Sequence, residues 1–283
     1  MIIAVVGPTG VGKTKLSVML AKKYNGIVIN ADACQIYSEL NIGTAKIKEE
    51  EKEGIEHLLF DIKYPNEFYS VSDYQNDLRS LLDKYKDRNI IVVGGTGLYL
   101  SAAFYDYEFK EIQKEDYSNY SNEELLKLCQ EKDANCDIHV NNRIRLENFL
   151  KRVDEPKKDA KLLYDVKFIG LTTDRLHLYE RINKRVEEMF EEGLIEEVEN
   201  LLDKYGEVNI LKRAIGYKEV IKYLNSEITK EECLELIQKN SRHYAKRQYT
   251  WFNNKMDVKW FLVDFNNFNN TYEKVINYIE KDC

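Results

Sequence analysis

No stretch of this chain approaches the roughly 20 consecutive apolar residues that a membrane span requires, so no membrane-embedded segment is expected. Cysteine is sparse and scattered: five residues, Cys34, Cys129, Cys136, Cys233 and Cys283, with no C-x-x-C pair. That argues against a disulfide framework and a zinc site, and for free thiols in a reducing cytoplasm. Positive charge is not in excess either. Lys and Arg number 42 against 49 Asp and Glu, a net charge of -7, which by itself argues against a nucleic-acid binder. The first apolar run starts at residue 2, so no signal peptide is expected. What remains is a chain of 283 residues, 43% hydrophobic and 32% charged. It has the composition of a soluble globular protein, long enough for one large or two smaller domains around a sizeable core.

Within that composition, Gly7-Pro8-Thr9-Gly10-Val11-Gly12-Lys13-Thr14 meets the spacing G-x-x-x-x-G-K-T in full. It follows the apolar run Ile2-Ile3-Ala4-Val5-Val6 and precedes a helical pattern at Leu16, Leu20 and Ala21. This is the strand–loop–helix context of a P-loop. The glycines let the backbone N–H groups turn toward phosphate oxygens, and the helix adds its positive end. Lys13 is expected on the terminal phosphates and the Thr14 hydroxyl on Mg²⁺. The short apolar run Ile27–Asn30 reads as the next parallel strand, with Asp32 at its carboxyl end, where open α/β sheets bind ligands. Asp32 suits a helix N-cap equally well, and position alone does not choose.

Further along, residues 69–86 read as a helix with Tyr74, Leu78, Leu81, Leu82 and Tyr85 inward, and His57 as a structural histidine. The strand 89–93 ends in Gly94-Gly95-Thr96-Gly97, where a hydrolytic P-loop protein usually carries an Asp for Mg²⁺. A motor or switch is thereby disfavoured, while a small-molecule kinase stays open. Residues 104–140 change character and read as a small inserted lid with one short helix near 122–132. Arg143, Arg145, Lys151 and Arg152 follow on an amphipathic helix; they suit a phosphate or RNA clamp and a solvated face alike. A strand is expected at 166–171, with helices at 175–192, 194–204, 214–224 and 229–252, and a last strand at 258–263. From 239 to 259 there are six Lys or Arg and one acid, with Tyr244, Tyr249, Trp251 and Phe252 between them. That pattern fits a surface that tracks an RNA backbone and stacks bases, with Lys246 and Arg247 as contacts; it also fits a solvated helix. The expected fold is α/β: a P-loop NTPase-like parallel sheet flanked by helices (1–103 and 141–283), with a small, mainly helical insertion (104–140) and a helical C-terminal part.

Several pieces together resemble one family. They are the P-loop, Asp32-Ala33-Cys34-Gln35-Ile36-Tyr37, Ile42-Gly43-Thr44-Ala45-Lys46, Gly94-Gly95-Thr96-Gly97-Leu98-Tyr99, Ala214-Ile215-Gly216-Tyr217-Lys218-Glu219, and Tyr244 to Phe252. In that order they resemble the tRNA dimethylallyltransferases. The resemblance implies transfer of a five-carbon group from dimethylallyl diphosphate to N6 of the adenosine 3′-adjacent to the anticodon in tRNA. It implies that Gly7 through Thr14 hold the diphosphate, with Arg213 adding charge and Mg²⁺ on Thr14. Asp32 resembles the family's catalytic base. Thr96 would hydrogen-bond near the reacting centre, and Gln35 would pair with an adenine edge bidentately. Ala33, Cys34, Arg145 and Arg143 would join Gln35, Lys246 and Arg247 in the tRNA contact, with the target base flipped out of its stack. The chain departs from the family pattern at Val140, Asn148 and Asn253 and has a shortened insertion, all on the tRNA side. Partners are thus expected to be the anticodon stem-loop and dimethylallyl diphosphate, with no membrane, and the protein a monomer. A free-nucleotide prenyltransferase, a kinase and a non-catalytic RNA-binding module are the alternatives.

Overall fold

The computed structural model describes residues 1–109, 116–151 and 160–281. Arg152 and Cys283 lie outside the described residues. Two compact units emerge, one of Tyr105–Leu162 and one of the rest of the chain.

The larger unit is built on six parallel strands: β1 (Ile2–Val6), β2 (Ile27–Asn30), β3 (His57–Leu58), β4 (Ile90–Val93), β5 (Val166–Thr172) and β6 (Lys259–Leu262). Their order is β3-β2-β4-β1-β5-β6. β1 and β4 are unbroken apolar runs, and β2 is apolar up to its last residue, Asn30, because helices cover both faces of the sheet, the arrangement parallel sheets require. Helices α1 (Lys13–Lys23), α2 (Val71–Lys84) and α3 (Gly97–Phe104) belong to the first half of this unit. Ser70 and Asp73 cap α2 reciprocally, which fixes where that helix starts. Its Tyr74 is fully buried, stacks on Tyr99 with ring centroids 4.3 Å apart, and donates to the Asn30 carbonyl at 3.0 Å.

The inserted unit holds α4 (Asn122–Lys132) and α5 (Arg143–Lys151), packed through Leu125, Cys129 and Leu146. After it come α6 (Arg175–Glu191), α7 (Leu194–Tyr205), α8 (Asn209–Arg213), α9 (Tyr217–Leu224), α10 (Lys230–Lys255) and α11 (Phe268–Lys281). No helix among the described residues is long and apolar enough to cross a membrane.

Several features differ from expectation. Residues 97–104 form a helix that was not assigned, and β3, α8 and α11 were not anticipated. The inserted unit closes at Leu162, paired with Tyr105, rather than at residue 140. The physical reason is Leu146, fully buried against Leu125 and Cys129, which makes α5 part of the insertion's own core.

Because all strands run parallel, the loops after β1, β2 and β4 emerge at one edge of the sheet, the ligand edge of such folds. They approach closely. A Cβ on Gly94 would lie 2.2 Å from the backbone of Ala31, whereas one on Gly54, at φ +76°, would meet nothing within 4 Å. Gly94→Ala is therefore expected to destabilise the fold by about 3 kcal/mol, as overpacking does. Gly54→Ala should cost only the left-handed backbone penalty of about 1 kcal/mol. Denaturant unfolding of the two variants checks the difference, and equal losses would refute the close-approach argument.

Candidate functional site

The loop after β1 turns with Gly7, Gly10 and Gly12 at φ +135°, +84° and +92°, conformations that side chains rarely adopt. It delivers the chain to the start of α1, whose first turn carries no acidic residue. The helix thus presents unopposed N–H groups to an anion. Lys13 Nζ folds back to donate to the Pro8 carbonyl at 2.7 Å. Burial pulls its pKa down to about 7; the neighbouring Asp32 carboxylate opposes that shift and Arg185 adds to it. Thr14 stays exposed in the same turn.

The loop after β2 is held by Asn30. Its Oδ1 accepts from the Asp32 N–H at 2.9 Å, and its Nδ2 donates to the carbonyls of Asp32 at 3.0 Å and Leu59 at 2.9 Å. Asp32 is thus fixed through its backbone, and its Oδ1 accepts from the Cys34 N–H at 2.9 Å. The next peptide is pinned from β4's side, where Thr96 Oγ1 accepts from the Ala33 N–H at 3.0 Å. Burial pushes the Cys34 thiol up to about 12, with Asp32 adding to the shift, so it stays protonated. Gln35 Nε2 donates to the carbonyls of Thr44 at 3.0 Å and Ala45 at 3.4 Å. Two carbonyls facing the same atom settle which end of the amide is nitrogen. Both amide hydrogens are then used, and Gln35 offers a ligand its Oε1 acceptor alone. The bidentate pairing expected of it is not available in this arrangement.

These loops share a cavity of about 1270 Å³. Thr9, Gly10, Gly12, Lys13 and Thr14 line one side, and Asp32, Cys34 and Gln35 another. Cations crowd it. Arg185 donates to Thr9 Oγ1 at 3.2 Å and to the Ala45 carbonyl at 3.4 Å. Burial lowers its pKa, against the pull of Asp32. Arg181 donates to the Gly10 carbonyl at 3.0 Å while its guanidinium lies 4.0 Å from the centroid of Phe265. Arg213, at the end of α8, and Arg247, on α10, also line the cavity. From α10 comes Gln248, whose Oε1 accepts from the Thr9 N–H at 2.9 Å and whose Nε2 donates to the Gly95 carbonyl at 3.1 Å. Tyr244, one turn earlier, also lines the cavity, and burial raises its pKa.

The expected residues do not all reach this wall. Gly7, Pro8 and Val11 are buried beneath the loop, and Ala33 and Thr96 support the Asp32 segment from behind. Lys246 lines a separate groove of about 620 Å³ on α10 with His243, Trp251 and Lys255, and Arg247 borders both spaces. In the inserted unit Arg145 is exposed. Arg143 is spent internally: it donates to the carbonyls of Tyr117 at 2.6 Å and Tyr120 at 2.7 Å and pairs with Glu147 at 2.7 Å. Arg181, Arg185 and the Gln248 bridge were not anticipated. The two arginines stand four apart beside the apolar stripe of α6, which was the available signal. Among the described residues no group of three or more His, Cys, Asp or Glu could hold a metal ion.

Comparison with known proteins gives the family. The family model described as IPP transferase matches residues 35–255. A tRNA dimethylallyltransferase of Anoxybacillus flavithermus is 43% identical, with 99% of this chain and 96% of that protein covered. One from Fusobacterium nucleatum is 43% identical over 93% of this chain and 91% of its own. Among solved structures, the full-length tRNA isopentenylpyrophosphate transferase of Bacillus halodurans is 40% identical with a TM-score of 0.78, covering 99% of this chain and 95% of that one. A eukaryotic dimethylallyltransferase, captured acting on tRNA, is 26% identical with a TM-score of 0.84, covering 99% of this chain and 78% of its own. The chain belongs to the IPP transferase family.

Proposed function

We propose that this chain transfers the dimethylallyl group of dimethylallyl diphosphate to N6 of the adenosine 3′-adjacent to the anticodon in tRNA, releasing diphosphate. The observation that carries the reading is the single cavity shared by the P-loop, Arg185 and Asp32. One side of it suits a leaving diphosphate and the other offers a carboxylate for a proton. In the reaction the C1–O bond of the allylic diphosphate breaks, and its electron pair leaves with the diphosphate. The P-loop N–H groups, Lys13, Arg185 and Arg213 stabilise that growing charge. The N6 lone pair forms the new C–N bond. The N6 proton passes to Asp32, whose Oδ1 is held by the Cys34 N–H so that Oδ2 is the receiving atom. Thr96, through the Ala33 N–H, keeps that carboxylate in place.

Mg²⁺ suits this donor set. Thr14 offers one hard oxygen and Asp32 lines the same cavity; with no protein cage among the described residues, the remaining ligands would be diphosphate oxygens and water. When bound, the ion neutralises charge on the departing diphosphate. On the RNA side, Arg247, Lys246 and the exposed Arg145 are read as backbone contacts, and the inserted unit as a tRNA-gripping part. The protein is read as a cytoplasmic monomer.

Two tests follow. Purified protein with Mg²⁺, labelled dimethylallyl diphosphate and an unmodified anticodon stem-loop should put label into the RNA, and Asp32→Ala should abolish it. Label in free AMP alone would move the chain to the free-nucleotide prenyltransferases; ATP consumption without transfer would favour a kinase. The second test uses Lys13, whose value of about 7 lies below the ordinary 10.5. Above pH 7 the free side chain is mostly neutral, and binding an anion must restore its proton. Affinity for pyrophosphate should therefore fall as pH rises, by about fivefold from pH 7 to 8 through this group alone. Calorimetry in buffers of different ionisation enthalpy should show the matching proton uptake, absent in Lys13→Met. Unchanged uptake in that variant would remove Lys13 from the diphosphate site.

A further inference from the structure

The segment after Leu40 is a tight turn. Thr44 Oγ1 donates to the Leu40 carbonyl at 2.7 Å, and the N–H groups of Ala45 and Lys46 donate to the carbonyls of Ile42 and Asn41, each at 2.9 Å. That leaves the N–H groups of Asn41, Ile42 and Gly43 converging on one point, the backbone concavity that ordinarily captures an anion. Here the anion is a side chain of the protein. Glu197, on α7, accepts from Asn41 N–H at 3.1 Å and Ile42 N–H at 2.8 Å through Oε2. Its Oε1 accepts from Gly43 N–H at 3.1 Å and from the Tyr217 hydroxyl at 2.7 Å. Tyr217 is fully buried, and a Cβ on Gly43 would come within 2.5 Å of its ring. The turn is thus pressed onto α9 and locked there by four donors on two oxygens.

What this turn holds is Gln35. The carbonyls of Thr44 and Ala45 take both hydrogens of its amide and aim Oε1 as a lone acceptor. We propose that Glu197 is a positioning residue for recognition of the acceptor nucleobase: its carboxylate sets the turn, the turn sets the Gln35 amide, and Gln35 Oε1 accepts from an exocyclic amine, as adenine has and a keto edge does not. The inference rests on the function proposed above. An isosteric amide cannot match Glu197: even with its NH₂ turned toward the Tyr217 hydroxyl, which can accept, it would still face the Gly43 N–H donor.

The experiment is a double-mutant cycle with the full chain. Glu197→Gln and Glu197→Ala should each raise KM for the stem-loop about tenfold, with smaller changes in kcat and in pyrophosphate affinity, the latter because the Ala45 carbonyl of the turn also accepts from Arg185. Gln35→Ala should do the same, and Glu197→Ala/Gln35→Ala should be no worse than Gln35→Ala alone, since both act through one group. Hydrogen exchange at the amides of residues 41–43 should accelerate in both Glu197 variants. That readout needs no activity, so it stands even if the RNA reaction proves wrong. A parental KM in Glu197→Gln, multiplying effects in the cycle, or unchanged exchange at 41–43 would each overturn the proposal. So would a parallel loss of pyrophosphate affinity and thermal stability, the mark of a merely structural role.

Discussion

One buried carboxamide joins the parts of the site. Gln248 accepts from the phosphate loop at Thr9 and donates to the loop after β4 at Gly95, while sitting on the inward face of α10 with Ala245 and Phe252. Only a side chain with one acceptor and one donor at the same end can satisfy both loops; a glutamate there would set an oxygen against the Gly95 carbonyl. The bond also demands its glycine, since a Cβ on Gly95 would fall 1.9 Å from Gln248 Nε2. The 26-residue helix α10 is in this way tied to the first loop of the chain. The spacing of α10 follows from it: Tyr244 and Gln248 face the cavity, while Lys246 and Arg247 stay exposed.

The glycines after β4 now have a physical account. A strand-end carboxylate would set a further negative group beside the loop after β2, which already carries Asp32. Gly94 instead lets the two loops touch, and the Thr96 N–H donates to the Ala31 carbonyl at 3.1 Å. Gly97 makes room for the Trp251 ring, which would lie 2.1 Å from a Cβ there, and Trp251 Nε1 donates to Ser101 Oγ at 3.2 Å. A loop that offers a hydrolytic water no carboxylate has become a packing joint that fixes the one carboxylate present.

Much of this was legible in the sequence. The strands show as apolar runs because both faces of a parallel sheet are covered, and the phosphate loop shows because its glycines have no substitutes. Other features were hidden for reasons of physics. Helix α3 is apolar nearly all round, so Gly97–Phe104 has no polar face to mark a period. Helix α5 has an apolar stripe, but a stripe does not say which neighbour covers it, so the end of the insertion was misjudged. Arg181 and Arg185 lie beside the stripe that defined α6 and look like its solvated flank. Gln35 was expected to pair bidentately with an adenine edge; it lines the cavity, but its donor use depends on carbonyls nine and ten residues away.

The electrostatics of the cavity are conditional on its ligand. Lys13 and Arg185 are both pulled toward neutrality by burial, with Asp32 as the opposing charge in each case. In the free protein a buried ammonium beside a guanidinium is costly, so Lys13 sheds its proton near neutral pH. A diphosphate reverses the balance, because it brings several negative charges into the same low-dielectric space. The full positive charge therefore forms only when there is a leaving group to receive it. Stabilisation grows further as the C–O bond lengthens and charge moves onto the diphosphate, which is where it lowers a barrier rather than a ground state. A site lined by exposed lysines would carry its full charge with or without a diphosphate; the buried Lys13, pulled down to about 7 in the free protein, carries it chiefly beside one.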